Sequence, residues 1–198
     1  MRPGKKISKL KALLPPTPEF IDKLLYIFLV FLTAILIIPI SYFKKVRIKE
    51  AIFIIFPKLM PRDILIEFYG VRFIARRGKT DILILNKFSE PWMACYFKPR
   101  RGDVVVDVGA HVGKYALVAA KNVGSGKVIA IEAHPENFNA LLKNIHLNGF
   151  RNIIALNVAA FNEDDKKIEL TGFRDDGYSI KSSEGAKIEV KTRTIDSI

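Results

Sequence analysis

The residues with the most chemical content lie in "VVVDVGAHVGKY", residues 104–115, and "VIAIEAHP", residues 128–135. Asp107 closes an apolar run, Gly109 and Gly113 follow, and Glu132 closes a second apolar run 25 residues after Asp107. In an open parallel sheet, ligands bind beyond the carboxyl ends of the strands. A glycine there reaches positive φ and lets the backbone approach a ligand closely. A helix starting near Lys114 directs its first N–H groups to the same place. A carboxylate at Glu132 can accept two hydrogen bonds from ribose hydroxyls. The expected ligand is an adenosine-containing cofactor.

The glycine spacing selects among such cofactors. A dinucleotide site uses G-x-G-x-x-G, whose close glycines admit a pyrophosphate. Here the pattern is D-x-G-x-x-x-G, at Asp107, Gly109 and Gly113, with no G-x-G in the loop. It suits a ligand without a pyrophosphate, such as S-adenosyl-L-methionine. A nicotinamide-dependent oxidoreductase is the alternative that the missing G-x-G counts against. A membrane-bound protein that keeps the cofactor fold without activity is another.

These residues need elements to hold them. Val104–Val108 reads as a strand, Lys114–Asn122 as a helix, Lys127–Glu132 as a strand, Pro135–Asn148 as a helix and Asn152–Val158 as a strand. This βαβαβ alternation implies parallel strands with helices packed on the sheet. The strands are continuous apolar runs, as expected where both faces are buried. Upstream, "DILIEFYGVRFIA" reads as two strands around a turn at Tyr69-Gly70. "TDILILNKF" fits a strand or a short helix, and a helix is expected from Pro91 in "PWMACYF". "KIELTGF" and "AKIEVKTRTIDSI" form a hairpin pattern. Trp92 and Phe97 are expected in the core, and His146 at the surface or in packing.

The net charge of +12 is unevenly placed. Residues 1–61 carry eleven Lys or Arg against three acids, and residues 62–198 carry twenty-one against seventeen. The excess is mainly N-terminal, so no nucleic-acid partner is expected of the remainder. From Leu24 to Phe43 there is no charged residue, a run of 20. As a helix it would be long enough to cross a hydrocarbon core of roughly 30 Å. The expected organisation is a basic segment at 1–23, a transmembrane or membrane-embedded helix at 24–43, a basic and apolar linker at 44–61, a β/α extension at 62–101 and a Rossmann-like domain at 102–198. The single Cys95 excludes an internal disulfide. No His/Cys spacing fits a metal site.

"VVVDVGAHVGKYALVAAK", "GKVIAIEAHPENFNALLKNIHLNGF" and "NIIALNVAA" resemble successive blocks of the FkbM-type methyltransferases, over roughly residues 80–198. The resemblance implies a class I Rossmann-like fold and S-adenosyl-L-methionine-dependent O-methylation of a small-molecule or glycan hydroxyl. It implies that Gly109, His111 and Gly113 line the methionine and ribose part of the site, with Asp107 beneath. Glu132 would hold the ribose, Ala133 and His134 would lie beside the adenine, and Asn157 to Ala159 would wall it. No catalytic base is identified. With the apolar run it implies membrane lipid as a partner and the Rossmann-like domain on the cytoplasmic side. FkbM-type sequences usually continue with a further strand. The expectation is therefore an incomplete sheet, with 104–108 at an edge and low activity and solubility.

Overall fold

The computed structural model describes residues 24, 25, 27, 28, 31, 32, 35, 56–85, 89–172, 177–180 and 185–198. The apolar run 24–43 and the linker 44–61 therefore lie largely outside the described residues. Among the described residues, no helix is long and apolar enough to cross a membrane. The chain divides into two compact units, one ending at Ser89 and the other holding Val71–Phe73 and Glu90–Ile198.

The backbone turns at Tyr69 and Gly70, both at positive φ, between β1 (Ile64–Phe68) of the first unit and β2 (Val71–Ala75), whose residues are divided between the two units. Alternate residues Ile64, Ile66 and Phe68 are buried, the period-2 signature of a half-buried strand. "TDILILNKF" contributes a helical turn, α1 (Asp81–Ile84). Asp81 is fully buried and is held by Arg76, whose backbone N–H, Nε and Nη2 donate to it at 2.9, 2.8 and 2.9 Å. A buried carboxylate persists only where paired and hydrogen-bonded in this way.

The second unit carries the alternating pattern. After the short helix α2 (Met93–Tyr96) come β3 (Val104–Val108), α3 (Lys114–Val123), β4 (Lys127–Ile131), α4 (Pro135–Asn148) and β5 (Ile153–Leu156). The sheet order is β3-β4-β5 and both pairings are parallel, with Val106 opposite Ile129 and Ile129 opposite Ile154. Helix α3 packs on all three strands and α4 on β5. Val128 and Ala130 are fully buried.

Two expectations about burial are corrected. Val104, Val106 and Val108 of β3 are 66, 45 and 56% exposed, so β3 is not buried on both faces. Among the described strands β3 pairs only with β4, and its valines lie on an uncovered face with Ile129 and Ile154. Trp92, expected in the core, is 58% exposed. An apolar run records side-chain type, and nothing in it says which distant element covers it.

The remaining strands are β6 (Ala159–Ala160), β7 (Lys167–Gly172) and β8 (Ala186–Arg193), in the order β6-β8-β7. β7 and β8 are antiparallel, which is the expected hairpin. Ala159, Leu170 and Val190 form its small core, with Ala133 and Tyr178 packed against it. A separate tie joins residue 72 to the end of α4. Arg72 N–H donates to Asn148 Oδ1 at 2.9 Å, Asn148 Nδ2 returns to Arg72 O at 2.6 Å, and Arg72 Nη2 donates to Leu147 O at 3.0 Å. The guanidinium thereby sits where the helix leaves its last carbonyls unsatisfied.

Candidate cofactor site

The loop between β3 and α3 is shaped by three left-handed residues: Gly109 at φ 81°, His111 at 52° and Gly113 at 93°. At Gly113 the requirement is double. A Cβ there would overlap Leu117 Cδ1 and stand 2.8 Å from Leu141 Cδ1. The loop is thus pressed onto both helices, and only a residue without a side chain fits. At Gly109 nothing lies within 4 Å of the Cβ position, so this glycine answers to its φ and leaves open space beside the backbone.

Gly113 is the N-cap of α3 and has no side chain to satisfy the helix's first N–H groups. Asp107 supplies that from the end of β3, where its Oδ2 accepts the Ala116 N–H at 2.9 Å. Burial pushes the Asp107 carboxyl up to about 6; the Ala116 hydrogen bond opposes this, and the nearby Glu132 charge adds to it. The carboxylate and the second glycine of the motif are therefore two halves of one cap.

Glu132, immediately after β4, is buried, and each of its oxygens is engaged. Oε2 accepts the His111 N–H at 2.7 Å and Oε1 accepts the His134 N–H at 2.9 Å. Gly109 and Ala110 N–H both donate to Ile131 O, at 2.8 and 2.9 Å. The N–H groups that the sequence pattern would offer to a ligand are thus largely used to bind the loop to β4.

The other expected residues fall around this centre. His134 caps α4 through Nδ1, which accepts the Glu136 N–H at 3.2 Å, and Pro135 follows at the first helical position. Its ring lies edge-on to Tyr178, with centroids 4.5 Å apart. Asn157 Nδ2 donates to Glu132 O at 2.8 Å and Ala133 O at 3.1 Å, tying the end of β5 to the end of β4. Ala159 is 8% exposed and belongs to the hairpin core. Asp107, Gly109, His111, Gly113, Glu132, Ala133, His134 and Asn157 are brought together at the carboxyl edge of the sheet, and Ala159 lies in the hairpin core against which Ala133 also packs.

Several supports were not read from the sequence. Asn144 is fully buried and its Nδ2 donates to Val112 O at 2.9 Å, fixing the loop from α4. Glu90 Oε2 accepts from Lys114 Nζ at 3.0 Å and from Tyr115 OH at 2.7 Å. The Tyr115 hydroxyl, and then Lys114, holds the Glu90 carboxyl below its ordinary range. Asn144 follows buried Asn137 by two helical turns, so both fall on one helix face; that spacing was the available signal.

These residues fit S-adenosylmethionine. A carboxylate offers about four lone-pair sites. Glu132 uses one N–H on each oxygen, leaving capacity for two ribose hydroxyls. Asp107 and Glu132 set negative charge beside a loop that would face a sulfonium and an ammonium. Among the described residues there is no cluster able to hold a metal ion.

The sequence profile of the TRM5/TYW2 methyltransferase domain matches residues 71–176. No curated protein matches the chain at a significant level. Among solved structures, M. jannaschii TYW2 in complex with AdoMet is 28% identical, with a TM-score of 0.42 over 49% of this chain and 43% of that one. P. horikoshii TYW2 in complex with MeSAdo is 26% identical, with a TM-score of 0.44 over 53% of this chain and 40% of that one. Trm5b from Pyrococcus abyssi is 21% identical, with a TM-score of 0.38 over 48% of this chain and 27% of that one. The chain thus spans less than half the length of these structures.

Proposed function

We propose, since the chain belongs to the TRM5/TYW2 methyltransferase domain family, that it transfers a methyl group from S-adenosylmethionine to a bound acceptor. The observation that carries this reading is Glu132, whose carboxylate closes β4 and faces the β3–α3 loop with acceptor capacity to spare. When bound, the cofactor supplies an electrophilic methyl on its sulfonium. The chain's own work is to bind and align. Glu132 orients the ribose, Gly109 leaves room for close approach, and Asp107 and Asn144 hold the loop in place. Alignment of two reactants accounts for much of the acceleration in such a displacement.

Two acceptor readings have support. The family favours tRNA, since related TRM5/TYW2 enzymes act on it, against the sequence-based expectation of no nucleic-acid partner. The FkbM-like blocks at 104–121, 126–150 and 152–160 favour a sugar or glycan hydroxyl. Incubation with tritiated S-adenosylmethionine, bulk tRNA and membrane extract separates them by the fraction that takes up label. Binding is tested independently by calorimetry with S-adenosylhomocysteine and by NADH competition. NADH displacing the cofactor at similar concentration would replace this reading with an oxidoreductase.

A further inference from the structure

Leu24, Ile27, Phe28, Phe31 and Ile35 are helical and 50, 43, 62, 70 and 57% exposed. Their spacing of three, four, seven and eleven residues from Leu24 places them on one side of a helix. A contiguous exposed apolar stripe is costly in water and marks an interaction surface.

The sequence around the stripe decides what covers it. An amphipathic helix made for a protein groove keeps a charged or polar face outward. Here no charged residue occurs on any side from Leu24 to Phe43. A second copy of the helix would cover that one stripe, whereas the sequence of the run is apolar beyond it as well. A medium that is apolar on every side satisfies the whole run. Charge agrees: Lys23 precedes the run, and Lys44, Lys45, Arg47 and Lys49 follow it. Lysines at the ends of an apolar segment reach the headgroup layer and pair with anionic lipid.

We propose that this segment seats the protein in an anionic lipid bilayer, with Leu24, Ile27, Phe28, Phe31 and Ile35 in the hydrocarbon layer and the flanking lysines among the phosphates. The proposal uses no residue of the cofactor site, so neither methyl transfer nor the acceptor enters the test.

Flotation of the full chain with vesicles of phosphatidylcholine, alone or mixed with phosphatidylglycerol, reads the proposal. The protein should float with both, more completely with the anionic mixture, and resist high salt and alkaline carbonate. Phe28→Asp combined with Phe31→Asp should cut the floated fraction at least tenfold. Release by salt or carbonate, or flotation unchanged in the double variant, would overturn insertion. So would a full chain that stays in solution as a discrete monomer or dimer without detergent. Should the double variant fail to fold, a Phe31→Trp reporter serves, because Trp92 is the only native tryptophan and can be made Phe. Lipids brominated on the acyl chain should quench it, and an unquenched signal would overturn the proposal.

Discussion

The Glu132 carboxylate accepts the His111 backbone N–H at 2.7 Å, joining the end of β4 to the middle of the β3–α3 loop. His111 is left-handed at φ 52°. The bond therefore secures a conformation that a residue with a Cβ adopts rarely. A residue expected for its ligand also proves to be part of the scaffold.

Glu132→Ala should show both roles. It removes acceptors for the His111 and His134 N–H groups, at 2.7 and 2.9 Å. Hydrogen bonds to a charged acceptor contribute about 1.5–3 kcal/mol each, so a stability loss of about 3 kcal/mol is expected by urea denaturation. Calorimetry of the folded fraction should show S-adenosylhomocysteine binding weakened by about 1–3 kcal/mol. Unchanged affinity would remove Glu132 from the cofactor site.

Asp107 gives the chain a pH dependence of definite sign. Its folded pKa is raised from 3.8 to about 6, chiefly by burial. The stability it contributes is fully present below pH 3.8 and is lost as pH rises through about 6. The loss is about 3 kcal/mol at 1.36 kcal/mol per pH unit. Asp107→Asn keeps an oxygen for the Ala116 N–H and no longer ionises. Denaturation at pH 4 and pH 8 should find that the variant lacks this loss, about 3 kcal/mol, and is more stable than the parent at pH 8. Parallel pH profiles would refute the assignment.

Gly113→Ala should be among the most damaging small substitutions. It forces an L-residue to φ 93° and drives a methyl into Leu117 and Leu141. Backbone strain and overpacking each cost about 1–3 kcal/mol. A thermal melt displaced by only a degree or two would show that the two leucines give way freely.

Asn148→Ala should loosen the tie to Arg72. Two bonds to the Arg72 backbone, at 2.9 and 2.6 Å, and one to Asn144 O, at 2.8 Å, are lost. A cost of about 2 kcal/mol is expected. Hydrogen exchange should speed at the Arg72 amide, while the amides of β4 keep their protection. Equal acceleration at both would mean the tie supports the whole unit.

The strands and helices from Val104 to Leu156 were legible because their signals are local. Apolar runs of strand length, glycines after a strand and Pro135 at a helix start each act within a few residues. Asp107, Gly113 and Glu132 were legible as a group for the same reason. The partners of Asn144 and Glu90 were not, because Val112 lies 32 residues from Asn144 and Lys114 lies 24 from Glu90. Ala159, expected to wall the cofactor, packs in the hairpin core beside Ala133, a contact with a distant strand that no local pattern records. The valines of β3 read as buried because valine suits any strand interior. Their exposure depends on what lies opposite, which no local pattern records.

The order β3-β4-β5 also has a kinetic meaning. Each parallel pair joins segments consecutive in the chain, separated by a single helix, and α3 closes on strands both before and after it. These pairings close 23 and 25 residues, more than the 14 between Gly172 and Ala186 at the near end of the hairpin, so contact order does not favour them and only their earlier place in the chain does. The cofactor cradle should then be finished while the β7–β8 hairpin is still being synthesised, since domains take shape as they emerge from the ribosome. Pulse-labelled exchange on ribosome-bound chains stalled before β7 has emerged should already protect the Ile129 and Ala130 amides. Unprotected amides there would make the hairpin the template on which the sheet is laid.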